Sequence, residues 1–306
     1  MIDIVIVNWN AGTQLLDAVT SVVQYHYGLV SSIVIVDNAS TDDSLAQVES
    51  LVNRPFQIQI VRNHVNRGFG AACNQGAALA TSEYLLFLNP DMRLFEDSLS
   101  KPIRFMQQPS NSGIGICGIK LVDEEGRAST SAARFPTLNV MAGQTLGLSK
   151  WIPGIFPAHL LTSDILKESG VVDQVIGAFF LIRKSVFDRC EGFDERFFVY
   201  FEEVDLALRV KKLGYVSYFF SDSAAFHKGG GCSDQIKATR LFYSLRSRIL
   251  YAKKNYAPIE YVGLILLTAI ELPMRLARGV IRTSWSDIRN TFIAYGQLLA
   301  FFIRDI

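Results

Sequence analysis

The chain has little cysteine. Its 306 residues include four, Cys73, Cys117, Cys190 and Cys232, none in a CxxC spacing. That excludes a disulfide framework or a zinc knuckle and fits idle thiols in a reducing compartment. Long apolar runs are missing too. The longest without a charge, Tyr261 to Ile270, has ten residues. A membrane-spanning helix needs ~20. Met1-Ile2-Asp3 runs straight into a strand-like segment, with no basic stretch or small-residue cleavage site. A secretory signal peptide is therefore not expected, and a cytoplasmic chain would leave the sequon Asn38-Ala39-Ser40 unused. No internal repeat is found.

Net charge is nearly absent, at +1, so nucleic acid is not an expected partner. The total hides an asymmetry. Residues 1–236 hold 19 Lys/Arg and 25 Asp/Glu, whereas residues 237–306 hold 11 and 4. A basic C-terminal quarter on an acidic body points to two jobs in one chain. Hydrophobic residues at 49% and charged residues at 19% supply a sizeable core. The length fits one or two domains.

Strand and helix signals alternate over the first 120 residues. Ile2 to Val7, Ile33 to Val36 and Tyr84 to Leu88 are short apolar runs, as expected of strands buried on both faces. Helical spacing appears over Gly12 to Tyr25, from Ser40 or Thr41 to Val52, and over Gly68 to Ala80; Phe56 to Val61 alternates like a more exposed strand. This predicts an α/β fold with a central, mostly parallel sheet, whose ligands sit at the carboxyl ends of the strands. Residues 130–170 read as a long loop with a little helix. Val175 to Arg183 and Tyr215 to Phe220 read as strands, and Glu202 to Leu213 as a helix ended by Gly214. Everything from Gln235 onward looks helical. The expected division is a catalytic domain over 1–236, with a nucleotide-binding half (1–120) and an acceptor half (121–236), followed by a helical region over 237–306.

Gly68-Phe69-Gly70-Ala71-Ala72-Cys73 nearly matches a dinucleotide fingerprint, but Cys73 replaces its third glycine and the preceding strand is the third, not the first. The small residues read better as close helix-on-sheet packing. Asp37 and Asp91 end strands. An acid at the first position can accept from a base N–H or cap a helix. The second, flanked by Pro90, can hold a divalent cation on a diphosphate or serve as a turn residue. Glu202-Glu203-Val204-Asp205 opens a helix behind Phe197-Phe198-Val199-Tyr200-Phe201. Acids beside aromatics are a common way to tune a general base, and at helical spacing Glu202 and Asp205 share a face that Glu203 leaves. His227 precedes Lys228-Gly229-Gly230-Gly231, where backbone can approach a ligand.

Together these segments resemble the family 2 glycosyltransferases of GT-A fold over about residues 2–250. The resemblance is carried by Val5-Ile6-Val7-Asn8-Trp9-Asn10, Val36-Asp37-Asn38-Ala39-Ser40-Thr41-Asp42, Asn66-Arg67-Gly68-Phe69-Gly70-Ala71-Ala72-Cys73-Asn74 and Leu88-Asn89-Pro90-Asp91. Gly177 to Arg183, Gly192 to Phe198, Glu202 to Leu206 and His227 continue it. Within the family the chain is most similar to bacterial rhamnosyltransferases of O-antigen or cell-wall polysaccharide assembly, which invert the anomeric centre and use dTDP-L-rhamnose. The resemblance implies Glu203 as catalytic base and Asp37 as reader of the nucleotide base. It implies a divalent metal, Mg²⁺ or Mn²⁺, held by Asp91 with Asn89 and His227. Asn89 stands where the family's DxD-type motif has its first acid, and Glu203 where most relatives have Asp. Substrate contacts are implied for Asn8, Asn10, Asp37, Arg67, Gly68, Asn74, Gly177, Glu202, Asp205 and Lys228.

The implied partners are a dTDP- or UDP-linked sugar donor and a saccharide acceptor on polyprenyl diphosphate. In the tail, Arg275, Arg278 and Arg282 share one helical face while Leu272, Leu276 and Val280 lie on another. Such a helix suits an anionic membrane surface at the inner face of the cytoplasmic membrane, or packing on the catalytic body or a second subunit of a homo-oligomer. Two rival functions remain at this stage: a UDP-sugar-dependent hexosyl- or galactofuranosyltransferase, and a non-catalytic sugar-nucleotide-binding scaffold.

Overall fold

A computed structural model describes residues 1–51, 57–162, 165–229 and 237–305. Contacts divide the chain into two compact units. The first comprises Met1–Arg134, Leu160–Glu195 and Glu202–Cys232; the second comprises Phe135–His159, Arg196–Phe201 and Ser233–Ile306.

The first unit is built on the strands β1 (Ile2–Asn8), β2 (Val30–Asp37), β3 (Gln57–Arg62), β4 (Tyr84–Leu88), β5 (Met92–Leu94) and β6 (Ile114–Val122). They are followed by β7 (Ala132–Ala133), β8 (Leu160–Leu161), β9 (Gly170–Val172), β10 (Gln174–Val175), β11 (Phe179–Arg183) and β12 (Val216–His227). The main sheet runs β3-β2-β1-β4-β11-β6-β12-β5, with β9 on β12; β10-β7-β8 form a small second sheet. Strands β3, β2, β1 and β4 are mutually parallel, and β11 enters antiparallel to β4. Because β1 lies between β2 and β4, the crossovers reverse there, which opens a crevice at the strands' carboxyl ends. Every residue of β1 and β4 is buried, as their largely apolar runs require; Asp3, the charge inside β1, accepts from Ser32 Oγ and from the Thr81 and Ser82 N–H groups.

The first unit's helices are α1 (Gln14–His26), α2 (Ser44–Glu49), α3 (Phe69–Ala77) and α4 (Ser100–Gln107). In the second unit α5 (Leu138–Leu146) follows; α6 (Lys184–Arg189) and α7 (Glu202–Lys212) belong again to the first. Helix α3 packs closely on the sheet, as its small residues predict. A Cβ on Gly76 would stand 2.4 Å from Val5 Cγ1. Helix α2 is shorter than expected: it begins at Ser44, because Asp42 accepts instead from the Gly12 N–H (2.8 Å) and from Ser44. Residues 52–56, where its expected end lies, fall outside the described residues.

Two other expectations change. The 130–170 stretch is not one loop, because it carries β7, α5 and β8. The Thr137 hydroxyl caps α5 and Gly147, at φ +72°, ends it. The strand expected over Tyr215–Phe220 continues to His227 through a register shift between Phe220 and Ala224. Its far end then pairs His227 with Met92 of β5.

The second unit adds α8 (Lys237–Asn255), α9 (Pro258–Ile281) and α10 (Trp285–Asp305). Residues 237–306 do not form a region by themselves. Val140 and Met141 of α5 share a core with Ala252, Leu264 and Leu267, and the Val199 carbonyl accepts from the Ser247 hydroxyl at 2.8 Å. The arginines of α9 do not share one environment. Glu271 pairs with Arg248 of α8 (2.7 Å) and with Arg275 (2.5 Å), whereas Arg278 and Arg282 are exposed. An apolar stripe of the helix is exposed as well: Ile259, Val262, Leu266, Ile270 and Val280. Among the described residues no helix is long and apolar enough to cross a membrane.

Candidate active site

Four strand ends and the start of one helix bring most of the expected residues to the carboxyl edge of the first unit's sheet. Asn8 and Asp37 end adjacent strands in register. The Asn8 amide donates to the Asp37 carboxylate at 2.7 Å and to Ser44 Oγ at 2.9 Å. Both residues are buried. Asn10, at φ +52°, accepts from the Thr41 N–H at 2.7 Å. Asn8 and Asn10 thus lock the loops after β1 and β2 together, and Asp37 is held in one orientation beside them.

Asn38 shapes the same edge although sequence reasoning assigned it no role. Its amide donates to Asn66 Oδ1 and the Gly68 carbonyl, and its own oxygen accepts from Asn63 and the Arg67 N–H. The available signal was the cluster Asn38, Asn63 and Asn66, whose side chains build turns by binding backbone. Gly68, at φ +86° and ψ 167°, is in a conformation essentially reserved for glycine. Arg67 is half-exposed, 3.9 Å from Glu195. Asn74 does not point to a ligand. It clasps the turn after α6, accepting from the Phe193 N–H (2.8 Å) and donating to the Phe193 carbonyl (2.9 Å).

Beyond β4, the Asn89 N–H donates to the Ala178 carbonyl at 3.0 Å. This joins the Asn89-Pro90-Asp91 turn to the residues before β11. Asp91 meets the end of β12: His227 Nε2 lies 3.5 Å from its carboxylate, and the Lys228 N–H donates to its carbonyl at 3.2 Å. A carboxylate and an imidazole from separate strands, both largely buried, are a fitting donor set for Mn²⁺ or Mg²⁺ when phosphate oxygens and water complete the shell. Among the described residues no third acid, histidine or cysteine joins them. These two residues would hold the ion; the structure shows no side-chain contact that adds Asn89.

The acids of α7 divide their work. Asp205 is fully buried and bonded to Arg209 at 2.7 Å. Arg209 in turn donates to the Cys190 and Gly192 carbonyls. This ties α7 to the turn that Asn74 also holds, a bracing role rather than a substrate contact. Glu202 is buried and Glu203 half-buried, and each keeps one carboxylate oxygen without a hydrogen-bond partner. Burial pushes Glu202 well above the ordinary carboxylate range, and the Glu203 charge beside it adds to the push. Burial also raises Glu203. Just before them Tyr200 (φ +67°) and Phe201 (φ +68°) are both left-handed, a strained entry for two aromatic residues. Buried acids with a free oxygen, raised proton affinity and strained backbone are the marks of a general base.

Comparison with known proteins agrees with this geometry. The family model described as glycosyl transferase family 2 matches residues 3–190. Rhamnosyltransferase WbbL of Escherichia coli K12 is 32% identical over 195 residues, 60% of this chain and 69% of that protein. The N-acetylglucosaminyl-diphospho-decaprenol L-rhamnosyltransferase of Mycobacterium tuberculosis is 24% identical over 238 residues, 74% of this chain and 76% of that one. Among solved structures, the mannosyltransferase PcManGT of Pyrobaculum calidifontis, in complex with GDP-Man and Mn²⁺, resembles the chain with a TM-score of 0.57. It is 14% identical, and the match covers 100% of this chain and 76% of that one. Staphylococcus aureus TarS 1-349 with UDP-GlcNAc gives 0.54 at 13% identity, covering 97% and 91%.

Proposed function

The chain belongs to the glycosyl transferase family 2, and from that premise we propose that it moves L-rhamnose, with inversion, from dTDP-L-rhamnose to a saccharide on a lipid diphosphate. The observation that carries the catalytic part is the Glu202–Glu203 pair, one buried and one half-buried, each with a buried unpartnered oxygen, on the unit that presents Asp37, Asp91 and His227. The two rhamnosyltransferase relatives support the sugar, and the decaprenol-linked diphosphate in the name of the mycobacterial one supports the lipid diphosphate.

In this reading Asp37 accepts from the nucleobase, and Gly68 and Arg67 border the donor. The acceptor hydroxyl attacks the anomeric carbon from the face opposite the diphosphate. Its proton goes to Glu203, and the bond to the diphosphate oxygen breaks with its electrons leaving on that oxygen. One base without a nucleophilic partner gives inversion. Asp91 and His227 would hold a divalent ion, which would neutralise charge on the diphosphate. Lys228 offers a further positive charge beside them. A scaffold protein would gain nothing from two destabilising buried acids, which favours the enzyme.

The lipid on the acceptor calls for work at the inner face of the cytoplasmic membrane. The exposed apolar stripe of α9 supports such a contact. A titration of dTDP-L-rhamnose and UDP-sugars, with and without Mn²⁺, tests the reading. Tight, metal-enhanced binding of dTDP-L-rhamnose with turnover is expected. Turnover with a UDP-hexose alone would replace the donor, and binding without turnover on any acceptor would return the protein to the scaffold class.

A further inference from the structure

The helical unit contains a cavity of about 330 Å³ walled by α5, α8 and α9, within the ~300–1,000 Å³ typical of small-molecule sites. Its polar lining is cationic: Arg248, Arg275 and Arg278 face one carboxylate, Glu271, with His159 beside them. Arg248 is nine-tenths buried, and its Nε has no hydrogen-bond partner although its Nη2 serves Thr268 and Glu271. Burial alone would raise Glu271, but the Arg248 and Arg275 guanidiniums outweigh it and hold its carboxyl below the ordinary range. The site therefore keeps three guanidiniums against one carboxylate, a standing positive excess. A neighbouring cavity shares Arg275 and Arg278 and adds Arg282 and Lys237 against one acid, Asp287, so a positive excess continues along α9. Met141, Met274 and Phe201 supply an apolar wall.

A cationic cavity with one unused buried donor suits a multiply charged oxyanion, and arginine forks match phosphate oxygens two at a time. The apolar wall and the exposed stripe on the opposite side of α9 fit an anion attached to a hydrocarbon chain. We propose that this cavity binds the diphosphate of the acceptor's lipid carrier, separate from the donor diphosphate. The inference rests on the acceptor chemistry argued above. It adds the place where that acceptor is gripped.

The full chain is titrated in chelator, which silences metal-dependent diphosphate binding, with farnesyl diphosphate, inorganic pyrophosphate and farnesol. Farnesyl diphosphate is expected to bind saturably and more tightly than either other probe. Arg278→Ala, at an exposed position that leaves the Arg248–Glu271 pair intact, is expected to weaken it about tenfold, the scale of one charge-assisted contact. Arg278→Lys should recover part of the loss. Arg275→Ala should weaken binding similarly. Affinity within twofold of wild type in both alanine variants would overturn the site. Equal affinity for pyrophosphate with the same arginine dependence would overturn the lipid carrier as its source. Binding of dTDP with Mn²⁺, measured on the same protein preparations without chelator, keeps the two readings apart: its absence in wild type refutes the donor assignment, whereas its presence without farnesyl diphosphate binding refutes only this one.

Discussion

Gly177 lies against Glu203: a Cβ built on the glycine would stand 3.5 Å from the glutamate Cγ, in ordinary contact. The glycine precedes Ala178, whose carbonyl takes the Asn89 N–H. Glu203 and the Asn89-Pro90-Asp91 turn are thus linked through one short segment before β11.

Glu203→Gln keeps the shape and cannot accept a proton. Turnover is expected to fall ~10²–10⁴-fold, the usual share of general-base catalysis, with donor affinity unchanged. Because burial raises Glu203, the wild-type rate should decline on acidification at a pH above the ordinary glutamate range, and the residual activity of the variant should lack that limb. A pH–rate profile of both proteins checks this. Asp205→Asn losing the limb instead would move the base by two residues.

Glu202 has a folded-state affinity for its proton above the unfolded one. Stability is therefore lost as pH rises from about 4.3 toward the raised folded value, and is regained on acidification through that window. Glu202→Gln should be the more stable protein at pH 7, with the difference from wild type shrinking toward the lower limit. Thermal midpoints at several pH values measure it. A difference that grows on acidification would contradict the burial argument.

The two strand-end acids should fail differently. Asp37→Ala should weaken dTDP whether or not Mn²⁺ is present, because it removes a contact to the base. Asp91→Ala should erase the Mn²⁺ enhancement and leave metal-free nucleotide binding intact. Calorimetry with and without the ion separates them. Equal losses for both variants in both conditions would refute the assignment.

Breaking the Asp205–Arg209 pair should damage the fold first. Arg209→Met leaves a fully buried carboxylate without its partner and should cost about 3 kcal/mol, read as a shift in urea midpoint. Gly68→Ala forces a Cβ into a glycine-only conformation and should cost ~1–3 kcal/mol, with weaker donor binding. A neutral Gly68→Ala would show that the loop does not require φ +86°.

Leu266→Glu with Ile270→Glu places charge on the exposed stripe of α9 and should release the protein from vesicles rich in anionic lipid, which wild type is expected to bind at low salt. Sedimentation of both proteins tests it. A wild-type dimer that the variant dissociates, without vesicle binding, would assign the stripe to a second copy.

Much of the fold was legible in the chain because strands buried on both faces are almost wholly apolar. Ile2 to Val7, interrupted by Asp3 alone, and Tyr84 to Leu88 read as such strands once helices separate them. The acids at strand ends and the Glu202-Glu203-Val204-Asp205 cluster were visible for the same reason: charge stands out where an apolar run stops. Spacing along one helix also separated Glu203 from the face of Glu202 and Asp205 before any contact was known.

What each polar group does was decided by neighbours distant in sequence. Asn74 and Asp205 have the composition of ligand contacts, yet they brace a turn because Phe193 and Arg209 come to meet them. His227 reaches Asp91 only because β12 survives its register shift and pairs with β5. Of the α9 arginines, Arg275 is held by Glu271, a carboxylate that Arg248 of another helix also meets. Periodicity determines which residues share a face, since that follows from local backbone geometry. It carries no information on which face turns inward when both are amphipathic, because that is settled by the partner that buries it.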